Sequence, residues 1–141
     1  MIEIKKFNFS DAKLMKLAHK IRHNVFVIEQ KCPEKLEWEF EEESTHFILL
    51  NNKKAIATAR YRKTNFGYKL ERFAVLCTER GKKYGHKILK AILADLNDSK
   101  ERIYLHAQSN VLPFYKKMGF RIDGNEFEEA GILHFKMFLE N

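Results

Sequence analysis

Apolar and polar positions alternate along the first seven residues, Met1-Ile2-Glu3-Ile4-Lys5-Lys6-Phe7, and this period of two predicts a strand. The period then lengthens. Ser10-Asp11 supplies an N-cap, and apolar residues at Leu14, Leu17, Ala18, Ile21, Val25 and Ile28 recur at the three-and-four spacing of one helix face. A helix running to about Glu29 is expected. Pro33 and the acidic run after it predict an irregular connection. Residues 45–50 read as a buried strand, Asn51-Asn52-Lys53 as a hairpin turn and residues 55–61 as the partner strand. A second turn, Thr64-Asn65-Phe66-Gly67, leads into residues 69–77, an extended apolar segment with Glu71 and Arg72 embedded in it. Three antiparallel strands are expected in this region.

Downstream, Glu79-Arg80-Gly81-Lys82-Lys83-Tyr84-Gly85-His86 is a basic loop with two glycines. The helical pattern Ile88, Leu89, Ile92, Leu93, Leu96 follows it and ends at Asn97-Asp98-Ser99. Residues 102–107 read as a strand, and a strand–helix–strand crossover of this length calls for parallel pairing with the 69–77 strand. Residues 111–118 predict a short helix with Gly119 at its C-cap. Phe120–Ile122 and Ile132–Leu139 predict closing strands around the turn Asp123-Gly124-Asn125. The order β-α-βββ-α-β-α-ββ describes a mixed α/β sheet.

Composition narrows the class. At 141 residues, 45% hydrophobic and 32% charged, the chain fits one domain over residues 1–141, with no linker or repeat to divide it. Twelve Phe, five Tyr and one Trp exclude a disordered chain. The apolar runs, such as residues 47–50 and the stretch 132–135 broken by His134, are far shorter than the roughly 20 residues of a membrane span. The first residues lack the basic-then-apolar order of a signal peptide, so a cytoplasmic protein is expected. Cys32 and Cys77 form no paired framework; reduced thiols are expected, with Cys77 buried at the end of its strand.

The net charge of +7 is unevenly spread, because residues 34–43 hold six glutamates against one lysine, a local balance of −5 that leaves +12 on the remainder. A basic surface of this size attracts nucleic acid, an anionic membrane or a phosphorylated cofactor. The segment Glu37-Trp38-Glu39-Phe40-Glu41-Glu42-Glu43 reads first as solvated. Its two aromatics could alternatively wall a site for a cationic ligand.

A glycine-containing loop between strand and helix presents backbone N–H groups at the positive end of the helix dipole, which suits a pyrophosphate. Arg80, Lys82, Lys83 and Lys87 add charge there. The loop is neither a P-loop nor a GxGxxG fingerprint, and a tight turn would explain it equally well. Four segments in order make a more specific pattern: Phe73-Ala74-Val75, Arg80-Gly81-Lys82-Lys83-Tyr84-Gly85, His106-Ala107-Gln108 and Phe114-Tyr115-Lys116-Lys117-Met118-Gly119-Phe120. Together they resemble the GNAT superfamily of acetyl-CoA-dependent N-acetyltransferases across nearly the whole chain. Within it, the stretch from Arg22 through Glu29 to Pro33, Glu71-Arg72-Phe73-Ala74-Val75 and Glu129-Ala130-Gly131-Ile132-Leu133-His134 resemble the ElaA-type group. One position departs from the pattern: Lys83 stands where the superfamily loop carries its first glycine, a place that favours glycine for positive φ or close approach to phosphate.

The resemblance implies a GNAT fold and acetyl-CoA (CoA) as co-substrate. The 69–77 and 102–107 strands would splay so that pantetheine pairs with backbone near Phe73, Ala74 and Val75. The loop Arg80, Gly81, Lys82, Lys83, Tyr84, Gly85 and His86 would hold the pyrophosphate, with Gln108 nearby. It implies Tyr115 as the general acid that protonates the leaving thiolate; the alternative is a core aromatic beside Phe114 and Phe120. Glu71 is a candidate base, directly or through water, or else a carboxylate paired with a basic neighbour. His46, His106 and His134 fall on strands of the same expected sheet and suggest a substrate-side cluster, with Arg22, Glu29 and Arg72 beside the acceptor. No ligand spacing supports a metal among them. The acceptor is expected to be a small-molecule or peptide amine, with no nucleic acid or membrane partner and with a homodimer open. Two alternatives stay in play: a CoA-binding GNAT fold impaired in catalysis by Lys83, and a basic nucleic-acid-binding module.

Overall fold

The computed structural model describes residues 1–31 and 39–140. Among these, β1 (Ile2–Phe7) is followed by α1 (Ala12–Arg22), which continues as a π-helical segment, His23–Glu29. Then come β2 (Ser44–Asn51), β3 (Lys54–Thr64), β4 (Gly67–Val75), α2 (Tyr84–Asp95), β5 (Ile103–Gln108), α3 (Leu112–Lys117), β6 (Phe120–Ile122), β7 (Phe127–Glu129) and β8 (Ile132–Leu139). The sheet runs β1-β2-β3-β4-β5-β8-β6, with β7 also on β8. Among the described strands only β4–β5 is a parallel pair, because α2 crosses between them, whereas the β2–β3 hairpin closes on consecutive left-handed residues, Asn52 (φ 51°) and Lys53 (φ 69°).

The two sheet faces carry separate cores. On one, α1 and the π segment bury Met15, Ala18, Ile21, Val25 and Phe26 against Phe7, Ile48 and Ala74. The Asp11 carboxylate caps α1 by accepting from Leu14 N at 3.0 Å. Gln30 N donates to Val25 O at 3.0 Å, a five-residue step that widens the last turn. That widening rotates the buried stripe. Phe26 enters the core, while Ile28, expected on the buried face, is 63% exposed. On the other face, Ile88, Leu89 and Ile92 of α2 are fully buried over Leu49, Ala57, Leu70 and Leu105, each such side chain contributing about 1.5–3 kcal/mol.

Three expectations change. The closing region contains an extra strand, β7, because the tight reversal is at Ala130-Gly131 (φ 52° and 78°) rather than at Asp123-Gly124-Asn125; β7 and β6 pair with opposite ends of the longer β8. Cys77 is exposed, because β4 ends at Val75 and the cysteine lies in the 3-10 turn beyond it. The acidic segment is not wholly solvated, since Glu41 is buried among cations while Phe40 lies under the Arg62 guanidinium at 3.8 Å. Cys32, Pro33, Glu34, Glu37 and Trp38 lie outside the described residues. No helix among those described is long and apolar enough to cross a membrane.

Candidate active site

Beyond Leu70 and Leu105 the two central strands part. They pair only at Tyr68–Ile103, Lys69–Tyr104 and Leu70–Leu105, so β4 from Glu71 to Val75 and β5 from His106 to Gln108 face each other without a ladder. A bulge drives the separation. Thr58 pairs with Ala74 and Arg60 with Glu71, which leaves Arg72 and Phe73 opposite Ala59 alone, with Arg72 in the left-handed region (φ 60°). The extra residue bends β4 away from β5 and opens a notch in the sheet.

An aromatic wall lines one side of the notch. Tyr115 is buried and packs edge-on against Phe73 at 5.9 Å, Phe114 at 5.0 Å and Phe120 at 6.0 Å. Burial pushes its phenol well above the usual range, so the hydroxyl stays a proton donor at neutral pH.

The basic loop sits at the mouth. Lys83 adopts the left-handed conformation (φ 65°, ψ 24°) as the N-cap of α2 and makes no side-chain cap. Lysine thus occupies the backbone conformation for which glycine is favoured, at a cost of about 1–3 kcal/mol. A Cβ at Gly85 would lie 3.6 Å from the Phe114 ring, so the first turn of α2 abuts the aromatic wall. The Arg80 guanidinium donates to both Glu29 oxygens at 2.6 and 2.7 Å, and its Nε donates to Val75 O at 3.0 Å. Those hydrogen bonds hold the Glu29 carboxyl below its ordinary value. Lys82 pairs with Glu79 at 3.2 Å, and Tyr84 is buried beside half-buried His86. Gln108, at the end of β5, donates to Gln30 at 2.9 Å and ties that strand to the end of the π segment.

Two polar clusters occupy the sheet face covered in part by α1. In the first, Glu41 accepts from Arg22 Nη2 at 2.5 Å and His19 Nε2 at 3.0 Å, with Arg60 Nη1 3.3 Å and His46 Nε2 3.4 Å from its other oxygen. Burial raises the Glu41 pKa, but the His19 and Arg22 hydrogen bonds and the Arg22 and Arg60 charges overcome it and bring the carboxyl down to about 2. Glu71 accepts from Arg60 Nε at 3.0 Å and Arg62 Nε at 2.8 Å, with Lys69 Nζ at 3.5 Å. Burial opposes ionisation there too, yet the Arg60, Lys69 and Arg62 charges hold Glu71 below its ordinary value. In the second cluster, Glu129 Oε1 lies 3.0 Å from His106 Nδ1 and Glu129 Oε2 lies 3.8 Å from His134 Nε2. The structure therefore divides the expected substrate-side group: His46, Glu71 and Arg22 join one network, while His106 and His134 join another.

Glu41, Arg60, Arg62 and Glu129 complete these networks and are not among the site residues expected from the sequence. For Arg60 the signal was a lone cation inside the apolar run of residues 55–61. No group of three or more His, Cys, Asp or Glu among the described residues is arranged to hold a metal ion.

The family model for the acetyltransferase (GNAT) domain matches residues 9–141. The chain belongs to the GNAT acetyltransferase family. An uncharacterized N-acetyltransferase of Bacillus subtilis strain 168, YjcF, is 37% identical over 126 residues, which is 87% of this chain and 90% of that one. The crystal structure of Escherichia coli ElaA superposes with a TM-score of 0.89 at 26% identity, over 99% of this chain and 100% of that one. An aminoglycoside 6'-N-acetyltransferase complexed with coenzyme A shares the fold, with a TM-score of 0.77 at 13% identity, over 96% of this chain and 95% of that one. In this GNAT chain the notch, the aromatic wall and the basic loop converge at the same ends of β4 and β5.

Proposed function

We propose that the chain transfers the acetyl group of acetyl-CoA to a primary amine by direct attack on the thioester. The observation that carries this reading is the notch. An open β4 edge at Glu71–Val75 offers ladder hydrogen bonds to an extended amide-bearing chain, and pantetheine is such a chain. Phe73, Ala74 and Val75 would pair with it. A peptide N–H there would stabilise charge developing on the thioester oxygen. The α2 N-terminus, with Arg80, Lys82 and Lys83 around Gly81 and Gly85, suits the pyrophosphate, since backbone N–H groups and cations meet there. Lys83 already holds the left-handed conformation, so its side chain adds charge without altering the loop path.

The chemistry balances without a side-chain nucleophile. The amine lone pair forms the C–N bond, the C–S bond breaks with its pair on sulfur, and the Tyr115 hydroxyl gives that thiolate its proton. The second N–H proton, lost as the amide forms, returns to the Tyr115 oxygen through water. Incubation of the purified protein with acetyl-CoA and a panel of small amines and lysine peptides tests the reading. Free CoA thiol should appear only when an amine is present, together with a product heavier by one acetyl group. CoA release at the same rate without amine, or none with any amine, would overturn it.

A further inference from the structure

We propose that His106, oriented by Glu129, is the general base that takes a proton from the incoming ammonium. The assignment rests on the acetyl-transfer reading above and names the group that reading leaves open. An alkylamine arrives protonated near neutral pH, so its lone pair must be freed at the place where it attacks.

The fork of the sheet narrows the choice. Leu70 and Leu105 are the last paired residues of β4 and β5, and both belong to the core beneath α2. The next residue on each strand projects to the opposite face, where the strands have just parted. Those residues are Glu71 and His106, one on each side of the notch.

Their surroundings differ. Glu71 meets Arg60, Arg62 and Lys69, so its oxygens are occupied by cations and its affinity for a proton is reduced. His106 has a single carboxylate on a single nitrogen. Its Nδ1–H donates to Glu129 at 3.0 Å, which fixes the tautomer and leaves the Nε2 lone pair as acceptor. No hydrogen-bond partner is found for Nε2 among the described residues, and the side chain is 24% exposed.

The support extends outward from the dyad. Phe127 packs edge-on against His106 at 5.1 Å and stacks on His134 at 5.9 Å. His134 donates Nδ1–H to Ile132 O at 2.7 Å, which holds the β7–β8 turn that carries Glu129. The other ionisable groups facing the pair are Tyr104 on β5, Lys136 opposite His106 on β8, and Lys69 on β4, whose charge also acts on Glu129. Glu129 stays ionised, lowered to about 2 chiefly by its hydrogen bond with His106, so it balances an imidazolium once the proton has moved. The step is complete in protons: Nε2 takes one from the ammonium, the freed lone pair attacks, and the imidazolium returns its proton to solvent.

Two probe amines separate a base from a structural histidine. Benzylamine is protonated near neutral pH, whereas aniline is already neutral. With acetyl-CoA, H106Q should lower kcat/KM for benzylamine by about 10²–10⁴-fold and abolish the acidic limb of its pH profile, with a much smaller loss for aniline. E129Q, which removes only the positioning carboxylate, should give a weaker version of the same pattern. Both variants should keep the acetyl-CoA-induced rise in unfolding temperature. Equal losses for the two amines, or an unaltered benzylamine profile in H106Q, would overturn the assignment while leaving acetyl transfer standing. Wild type that binds acetyl-CoA yet acetylates neither these two amines nor any amine or lysine peptide of the panel would overturn the transfer reading itself, and the base with it.

Discussion

E41Q is expected to lower the free energy of unfolding by about 3–5 kcal/mol, a large share of the stability of a chain this size. Glutamine keeps the shape of the side chain but removes the negative charge that Arg22 and Arg60 approach from two sides. Two guanidinium groups that are each 1% exposed then lose their shared counter-ion. The sign with pH follows from the same group. Glu41 is depressed to about 2 in the fold, so its stabilisation is complete above its ordinary value of 4.5 and is lost as pH falls toward 2. His46 is also depressed, chiefly by burial, so it adds a loss that begins as pH drops below 6.5. Wild-type stability should therefore decline on acidification, first below 6.5 and more steeply below 4.5, and E41Q should flatten the lower limb. Urea unfolding across that range measures both effects. Equal stability of E41Q and wild type at neutral pH would show that the buried carboxylate does not hold the cluster together.

The second large effect is on turnover. Y115F should reduce kcat and kcat/KM together by about 10²–10⁴-fold while leaving the acetyl-CoA dissociation constant unchanged. The ring contacts with Phe73, Phe114 and Phe120 survive the change, so the fold loses little. What disappears is the one hydroxyl of that aromatic wall, kept protonated by burial, and with it the proton that the proposed mechanism gives to the leaving thiolate. Steady-state rates beside a binding isotherm separate the two quantities. Unchanged kcat would remove Tyr115 from the mechanism and return it to the core.

Much of the fold was legible because its elements have clean periods. The alternation of β1, the hairpin turn at Asn52-Lys53 and the α2 crossover each follow from local chemistry, and the parallel β4–β5 pair follows from the crossover. The Phe-Tyr-x-x-x-Gly-Phe element likewise located α3 and Tyr115. Three features were hidden for physical reasons. A π turn shares the composition of an α turn, so the phase slip that exposes Ile28 leaves no local signature. The β4 bulge rests on pairing between distant residues, and Arg72 is an ordinary residue in an unusual conformation. The ion network joins α1, β2, β3 and β4 around Glu41, which the sequence shows only as one of several adjacent glutamates. Of the two roles the sequence leaves open for Glu71, base or ion-pair partner, the pairing with Arg60 and Arg62 is invisible locally because both arginines lie on another strand.

On the proposed function, the notch and the Lys83 loop together hold acetyl-CoA. Thermal unfolding with and without acetyl-CoA tests it most directly. At ~100 times the dissociation constant the ligand should add about 2.7 kcal/mol of stability, seen as a clear rise in Tm that ATP and duplex DNA do not reproduce. No rise with acetyl-CoA, or an equal rise with ATP or duplex DNA, would show that the notch and the Lys83 loop are not an acetyl-CoA site.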